Sequence, residues 1–416
     1  MITTTSPPAQ RNAVPVIALL ASNAISMIGN MLTYVAIPWF VLQTTGSEAK
    51  TGMTAAVAVL PAVVAGALVG SFVDRLGYKP TSVLADLASG VTVAMVPLLH
   101  HTIGLAFWQL LALMFLGSFL DAPGSVARQS MIPDLATRAG IRLERINGGF
   151  SSMERGAELV APLIATALIA VIGPSNVLWI DAATFLLSAL LIAFAVPSTE
   201  GPVEGDDPKA APSYIADVVE GFRFIWRDKT LFMLLATGAG LSITVSPLLA
   251  VILPVYTKEV FGNVVNLGLM LSAWGGGALA GVLLYGAMGH RLPRRATYVG
   301  ALLVAAIPFG VLATMPSLMV AVILLALLGV TIAPLHPMRI TVFQERTPPA
   351  LRGRVFGLLK STVWAGLPLG MLIAGFLLES VGVRTTLIIE APMFATLALS
   401  VMITATLRDL ERAPSS

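Results

Sequence analysis

Ionisable residues inside an apolar stretch are the strongest chemical signal in this sequence. The segment SSMERGAELVAPL places Glu154, Arg155 and Glu158 within an apolar run. On a helix with about 100° per residue, the two glutamates lie about 40° apart and Arg155 about 60° from Glu158, so all three share one polar sector. Two carboxylates beside one guanidinium leave one carboxylate that can take up and release a proton. We therefore expect a proton-coupling site; the alternative is an inert Glu–Arg pair that fixes this helix to a neighbour.

A charged turn separates two earlier apolar runs. The segment GSFVDRLGYKP contains Gly70, Asp74, Arg75, Gly77 and Lys79. Its glycines permit close backbone approach, and its aspartate can meet a helix N-terminus or a distant arginine in one conformation only. We interpret the turn as a conformational latch and expect Asp86, Arg128 and Arg354 to belong to it. The alternative is that these charges only set the orientation of the chain in a membrane.

The same turn occurs a second time, which predicts two similar halves. A shift of 216 residues aligns it with GAMGHRLPRRA, and a looser echo pairs RQSMIPDLATRAGIRLERINGG with RITVFQERTPPALRGRVFGL. Residues that align are Gly70 with Gly286, Arg75 with Arg291 and Lys79 with Arg295. His290 replaces the acid in this copy, so we expect the second latch to be weaker or dependent on pH.

Polar residues repeat every four positions along the first apolar run. Ser22, Ser26, Asn30 and Tyr34 would form one stripe on a helix, and we interpret this stripe as part of a substrate cavity. Hydrogen bonding between helices is an alternative use for it. Trp274, in a later apolar run, is a further candidate for the cavity, with ordinary packing as its alternative.

Membrane-spanning helices must position these residues. Hydrophobic residues make up 56% of the chain and charged residues 11%, against roughly 45–50% and 25% in soluble domains. Apolar runs of about 20 residues, long enough to cross a bilayer, recur along the chain. We predict spans at 13–42, 51–73, 80–99, 103–122, 147–172, 176–196, 230–257, 264–288, 296–314, 316–338, 354–378 and 384–407.

Three domains follow from these spans. Residues 1–196 are predicted to form an N-terminal six-helix bundle and residues 230–416 a C-terminal one. Between them, residues 197–229 form a linker rich in Pro, Gly and acidic residues, followed by an amphipathic helix lying on the membrane surface. The apolar face of this helix, behind the predicted N-cap Ser213, comprises Ile215, Val218, Val219, Phe222 and Trp226.

Basic residues concentrate in alternate loops, which predicts that both termini lie in the cytoplasm. The isoelectric point of about 9.3 then reflects this topology and contact with anionic lipid, and gives no indication of nucleic-acid binding. The chain has no cysteine, which excludes disulfides and thiolate metal sites. No cofactor or metal is expected. Since the sequence has no Walker motif, energy is expected from an ion gradient or from the gradient of the cargo.

Several segments resemble a known family. The twelve spans and the repeated turn are similar to those of the major facilitator superfamily over essentially the whole chain. DRLGYKPTSVLADL, ARQSMIPDL, IDAATFLLSALL and PPALRGRVFGLL resemble the bacterial branch that includes macrolide efflux proteins and the enterobactin exporter. The resemblance implies an all-α integral membrane fold of twelve transmembrane helices in two pseudo-symmetric six-helix bundles. It also implies a monomer.

The chain departs from the proton-coupled exporters of this family at three places. The fourth span lacks an arginine, a role that Arg155 could take over. Pro162 is kept in the fifth span, but its flanking glycines are alanines. Asn30 stands where an acid often follows the glycine of MIGN. These departures concern the coupling mechanism rather than the fold.

We therefore expect an exporter in the bacterial inner membrane. Its cargo would be a lipophilic or amphiphilic small molecule, such as a drug, an antibiotic or a siderophore-like compound, moved by proton antiport and alternating access. The expected partners are this cargo, the proton and the lipid bilayer. One alternative is an importer or uniporter without proton coupling. An intramembrane enzyme is disfavoured because the chain has only four histidines, and a pore is disfavoured because a duplicated latch implies a moving device.

Overall fold

A computed structural model of the chain describes residues 13–64, 73, 76–198 and 214–403. Within these ranges the chain forms helices and short turns and no strand. Helices suit apolar surroundings because their backbone polar groups bond within the segment itself. In chain order the helices are α1 Val14–Thr45, α2 Glu48–Val64, α3 Tyr78–Thr102, α4 Phe107–Ala139, α5 Leu143–Ile172, α6 Pro174–Ala195, α7 Tyr214–Arg227, α8 Lys229–Pro247, α9 Leu253–Val260, α10 Val264–Met288, α11 Arg294–Leu312, α12 Leu318–Ile332, α13 Leu335–Arg346 and α14 Arg352–Ile403.

Ten helical segments of the described residues are long and apolar enough to cross a membrane. The last of them, Arg352–Met402, contains Gly382, whose φ of 79° and ψ of 167° interrupt the helix. Because glycine accepts a positive φ, the chain turns there, and α14 holds the eleventh and twelfth predicted spans. Helix α2, described over 17 residues, supplies the second. The predicted all-α membrane fold is confirmed.

Prolines set the breaks inside two spans. Helices α8 and α9 are joined by the π-helical residues Leu248–Ile252, which lie between Pro247 and Pro254. Helices α12 and α13 are separated at Ala333 and Pro334, where the APLHP motif predicts a break. Proline has no backbone N–H and its ring crowds the preceding turn, so the regular hydrogen-bond ladder cannot continue through it.

The fourth helix is longer than predicted. It runs from Phe107 to Ala139, and Gly140, with a φ of 65°, ends it by donating its N–H to carbonyls of the last turn. Arg128 was expected at the end of a span closing at residue 122, and it lies instead inside the helix and is buried. The predicted end at residue 122 was wrong because Arg128 pairs with Asp86 inside the protein, and the helix continues past it to Ala139.

Helix α7 occupies the segment of the predicted amphipathic helix, and its position on the membrane surface stays a prediction. Its side chains Val219, Phe222 and Trp226 remain 48%, 46% and 60% exposed to the surroundings of the protein. An apolar face left uncovered by protein fits a helix that lies against lipid. The predicted N-cap Ser213 and the side chains of Ile215 and Val218 lie outside the described residues.

The chain groups into two compact units that do not follow its two halves. The first unit comprises Met1–Thr33, Val64–Ala157 and Leu178–Gly205, and the second Tyr34–Val63, Glu158–Val177 and Asp206–Ser416. The later part of α1, most of α2 and the later part of α5 therefore pack with the C-terminal helices. In the first unit α3 packs on α4, and in the second α10 packs on α12 and α8 on α14. The division at 1–196, 197–229 and 230–416 stays a prediction.

Candidate functional site

A buried ion pair joins α3 and α4 in the first unit. Arg128 Nη1 lies 2.6 Å from Asp86 Oδ1, and the two side chains are 3% and 0% exposed. The hydroxyl of Ser188, on α6, donates a 2.6 Å hydrogen bond to the other carboxylate oxygen of Asp86. Two predicted latch residues are thus in contact, and both carboxylate oxygens of Asp86 have a bonding partner. A buried ion pair needs such additional bonds to offset the loss of hydration.

A second carboxylate extends this network along α4. Asp121 lies two turns before Arg128, and its Oδ1 is 3.8 Å from Arg128 Nη2. The side-chain amide of Asn30, on α1, lies 3.4 Å from Asp121 Oδ2 and donates to it. Exporters of this branch often have an acidic residue at the position of Asn30. In this chain, Asn30 instead bonds to an acidic residue of another helix, Asp121.

A third carboxylate, Asp181 on α6, has no exposed surface and lies close enough to Asp121 for their charges to interact. Thr33 of α1 donates its hydroxyl hydrogen to Asp181 Oδ2, and the Thr184 hydroxyl lies 3.2 Å from Oδ1. Within the part of the chain that the structure describes, Asp181 forms no ion pair. We call Asp86, Asp121, Asp181 and Arg128 the acidic network. Three carboxyl groups against one guanidinium leave two negative charges uncompensated if all are ionised, and a buried carboxyl group avoids that cost by holding a proton.

The three residues of the predicted proton-coupling site all lie on α5. Glu154 and Glu158 are half-buried, Arg155 is exposed, and each takes part in polar or electrostatic interactions. The backbone of Glu158 lies against α10, since a β-carbon added at Gly275 would be 2.7 Å from the Glu158 carbonyl oxygen. Their role in proton coupling stays a prediction.

The predicted cavity stripe on α1 is divided by the fold. Ser22 and Ser26 have no exposed surface, and Ser22 donates its hydroxyl hydrogen to the Leu19 carbonyl of its own helix. Neither is exposed in this conformation, and their role in a substrate cavity stays a prediction, with hydrogen bonding between helices as the alternative. Tyr34 is 37% exposed, and Trp274 is half-buried. Both remain predicted cavity residues.

The predicted latch is described only in part. Gly70, Asp74 and Arg75 lie outside the described residues. Gly77 has a φ of 81° and donates its N–H to the Val73 carbonyl at 3.0 Å, which fits the predicted tight turn. Arg354, expected in the same network, forms an ion pair with Glu220 of α7.

The C-terminal copy of the turn is held by basic residues. Arg294 makes two bonds to the Glu345 carboxylate, of 2.6 and 2.8 Å, and so ties α11 to α13. Arg295 Nη2 donates to the Met402 carbonyl at 2.9 Å. Arg291 is exposed, Gly286 has open space around it, and the side chain of His290 lies outside the described residues.

Comparison with known proteins identifies the family of this chain. The family model described as "Major Facilitator Superfamily" matches residues 19–265 and 248–416. The chain belongs to the Major Facilitator Superfamily. It is thus a multi-pass membrane transporter and not an enzyme, and the predicted resemblance to macrolide efflux proteins is confirmed.

Relatives of this Major Facilitator Superfamily chain cover nearly all of it. It is 33% identical over 409 residues to the protein named "Multidrug efflux pump Tap" of Mycobacterium tuberculosis, covering 97% of each chain. It is 24% identical over 383 residues to "Macrolide efflux protein A" of Streptococcus pyogenes, covering 91% of this chain and 93% of the relative. The crystal structure of nucleoside transporter NupG shares its fold, with a TM-score of 0.75, 14% identity and coverage of 93% and 98%.

Sequence reasoning missed part of the acidic network in this Major Facilitator Superfamily chain. The sequence motifs point to Asp86 and Arg128 but to neither Asp121 nor Asp181. The signal that could have found both is an unpaired acid inside an apolar run, FLDAP for Asp121 and WIDAA for Asp181. Among the described residues, no group of three metal-ligating side chains lies close enough to hold a metal ion.

Proposed function

We propose that this transporter exports lipophilic or amphiphilic small molecules from the bacterial cytoplasm, with drugs and macrolide-like antibiotics as the cargo class. Support comes from relatives named as multidrug and macrolide efflux proteins that cover more than nine-tenths of the chain. The distribution of basic residues supports an inner-membrane location with both termini in the cytoplasm. The transporter works as a monomer.

Proton antiport drives export in this proposal. The observation that carries it is Asp181, fully buried, bonded to two threonine hydroxyls and without an ion pair among the described residues. A proton on its carboxyl group removes a buried charge, and its release restores that charge, which repels the charge of Asp121. Because charge at this depth is costly, the two protonation states favour different packings of α1, α4 and α6.

The predicted latch controls the conformational exchange. Asp86 and Arg128 supply its buried anchor, and Gly77, with its positive φ, supplies its tight turn. The second turn, from Gly286 to Arg295, serves the opposite half. A contact of this kind needs to contribute only about 0.5–2 kcal/mol to bias two states that differ by a few kcal/mol.

The test uses purified protein in proteoliposomes that carry an imposed pH gradient, with labelled erythromycin and ethidium as cargo probes. Asp181→Asn and Asp121→Asn are expected to lose accumulation against a gradient while they keep cargo binding. Asp134→Asn, which changes an exposed acid of α4, is the matched control and should behave as the wild type.

A parallel variant, Glu158→Gln, separates the two candidate proton sites. Loss of uphill transport in Glu158→Gln alone would place coupling on α5 and contradict the role given to Asp181. Uphill transport that is the same with and without a pH gradient in the wild type would contradict antiport and favour the uniporter or importer alternative.

A further inference from the structure

A cavity of about 320 Å³ opens between α13 and α14. Its wall is mostly apolar and aromatic, yet it contains an arginine, a lysine and a histidine. The lining residues are His336, Arg339, Ile340, Phe356, Leu359, Lys360, Val363 and Trp364. A concave apolar site with a few converging polar groups is the usual form of a small-molecule site.

Arg339 is the deepest charge of this cavity and is 5% exposed. Its Nη2 lies 3.2 Å from His336 Nδ1, and its Nε has no hydrogen-bond partner. Its guanidinium packs against α8, where a β-carbon at Gly238 would come within 2.9 Å of Cζ. Within the described ranges of the chain, Arg339 has no carboxylate partner. A buried guanidinium without an anion is costly, so the site is built for a negative charge that the described residues do not supply.

The internal repeat allows the surroundings of Arg339 to be compared with those of the matching arginine in the first half. The echo between RQSMIPDL and RITVFQER places Arg128 over Arg339. Arg128 faces Asp86 of α3 at 2.6 Å. Arg339 instead interacts with the hydroxyl of Tyr298, on α11, which lies 2.8 Å from the Thr237 hydroxyl. Both halves therefore keep a buried arginine, and among the residues that the structure describes an acid pairs with Arg128 but none pairs with Arg339.

The cavity also has a second cation at its exposed side. Lys360 is exposed, and its Nζ lies 5.6 Å from the ring centre of Trp364. A lysine held over an aromatic face keeps its ammonium group close to the apolar wall. An anion that enters the cavity thus meets Lys360 first and Arg339 at depth, while Phe356 and Trp364 offer apolar surface on the way.

We propose that this cavity binds an oxyanion, a carboxylate or a phosphate, carried on an apolar or aromatic body. Arg339 and Lys360 hold the charged group, and Phe356 and Trp364 pack against the body. Two sources present this chemistry: an acidic amphiphilic cargo and the headgroup of an anionic lipid. Binding itself is independent of the proposed export, and only the use of the cavity by cargo rests on the proposed function.

The test is direct binding by calorimetry to the purified protein in a neutral detergent. The probes are 1-naphthaleneacetate, 1-naphthyl phosphate and the neutral 1-naphthaleneacetamide, which differ mainly in charge. We expect the two anions to bind at least about tenfold more tightly than the amide. Arg339→Gln should abolish this preference, Lys360→Gln should reduce it, and Lys229→Gln, an exposed cation outside the cavity, should leave it unchanged.

Equal affinity of the wild type for the acid and the amide would overturn the proposal. So would a preference that survives unchanged in both Arg339→Gln and Lys360→Gln. Lys360 lies on the exposed side, so its variant keeps the test decisive even if Arg339→Gln does not fold. Because no transport is measured, the outcome stands apart from that of the export experiment.

A second arm identifies the source of the anion. Binding of 1-naphthaleneacetate is repeated in bilayers of phosphatidylcholine alone and of phosphatidylcholine mixed with phosphatidylglycerol. If the anionic bilayer weakens binding of 1-naphthaleneacetate to the wild type but not to Lys360→Gln, a lipid headgroup competes for the cavity. Equal binding in both bilayers supports an acidic cargo, which should then be exported by the wild type and less so by Lys360→Gln.

Discussion

The carboxylate of Glu379, on α14, accepts a 3.0 Å hydrogen bond from the backbone N–H of Ala49, in the first turn of α2. The same oxygen accepts a 2.5 Å bond from the Ser47 hydroxyl. A helix N-terminus has unpaired N–H groups and a partial positive charge, so a carboxylate is the matching cap. We call the end of the bundle where α1 ends and α2 begins the distal end.

The neighbouring helix terminus is capped by the opposite charge. Lys258 Nζ, on α9, donates a 2.7 Å bond to the Leu42 carbonyl in the last turn of α1. Cations stabilise helix C-termini for the reason that anions stabilise N-termini. Two charged residues of the C-terminal sequence therefore hold the connected ends of α1 and α2, and both bonds must break if the distal end is to open.

Removing the acidic cap should loosen the distal end. With Glu379→Gln the N-terminus of α2 loses its anion, and we expect a cysteine placed at the buried position Thr51 to react severalfold faster with an impermeant maleimide. The natural chain has no cysteine, so the label reports one site. Asp134→Asn, at an exposed acid of α4, is the control and should leave the labelling rate unchanged. A rate unaffected by Glu379→Gln would contradict the role of this cap.

Helices α2 and α14 are in close contact at the distal end, so a larger side chain at this contact should keep them apart. A β-carbon at Gly52 would lie 2.5 Å from the Met371 carbonyl oxygen and 2.8 Å from the Gly375 Cα, so α2 and α14 touch through their backbones. Gly52→Val is expected to prevent this contact and to lower the transport rate by at least about tenfold, with folding retained. Transport in proteoliposomes checks it, with Gly148→Ala, which has open space, as the control. Wild-type transport in Gly52→Val would show that this contact is not needed for turnover.

The Asp86–Arg128 pair predicts a strong energetic coupling. Asp86→Asn leaves a buried guanidinium with only the more distant Asp121, and we expect a loss of about 3–5 kcal/mol in the free energy of unfolding. Adding Arg128→Gln should restore part of that loss, because the uncompensated charge is removed. Unfolding in detergent of the two single variants and the double variant measures the coupling. Additive effects would contradict it, and Ser188→Ala, which removes one hydrogen bond, should cost only about 1 kcal/mol.

The fold was predictable because long, apolar runs of residues identify membrane-spanning helices in a sequence. The break at APLHP, the amphipathic helix α7 and the repeat that pairs Arg128 with Arg339 are local features, visible in a single segment or by self-alignment. The length of α4 was missed because its charged residues, read singly, indicate a loop. Only the packing of α3 against α4 shows that Arg128 is satisfied inside the protein.

The sites were harder to predict because they depend on neighbours from other helices. The rise along α6 gives the depth of Asp181, but not that Thr33 of α1 faces it. The four-residue spacing of Ser22 and Ser26 defines a helix face, but not whether that face meets protein or open space. Nor does the sequence show that Arg339 interacts with the Tyr298 hydroxyl, whereas Arg128 pairs with a carboxylate.

Replacing the buried Glu390 by an apolar residue should stabilise the protein. It lies in α14 after the turn at Gly382, is 4% exposed, and its Oε2 has no hydrogen-bond partner. A buried polar group without partners costs about 1–3 kcal/mol, so Glu390→Leu should raise the free energy of unfolding by that amount. Unfolding in detergent measures it, with Asp134→Leu, at an exposed acid, as the control that should gain nothing. If Glu390→Leu instead abolishes transport without stabilising the protein, the carboxyl group is retained for function, and it joins Asp181 as a candidate proton carrier in the opposite half.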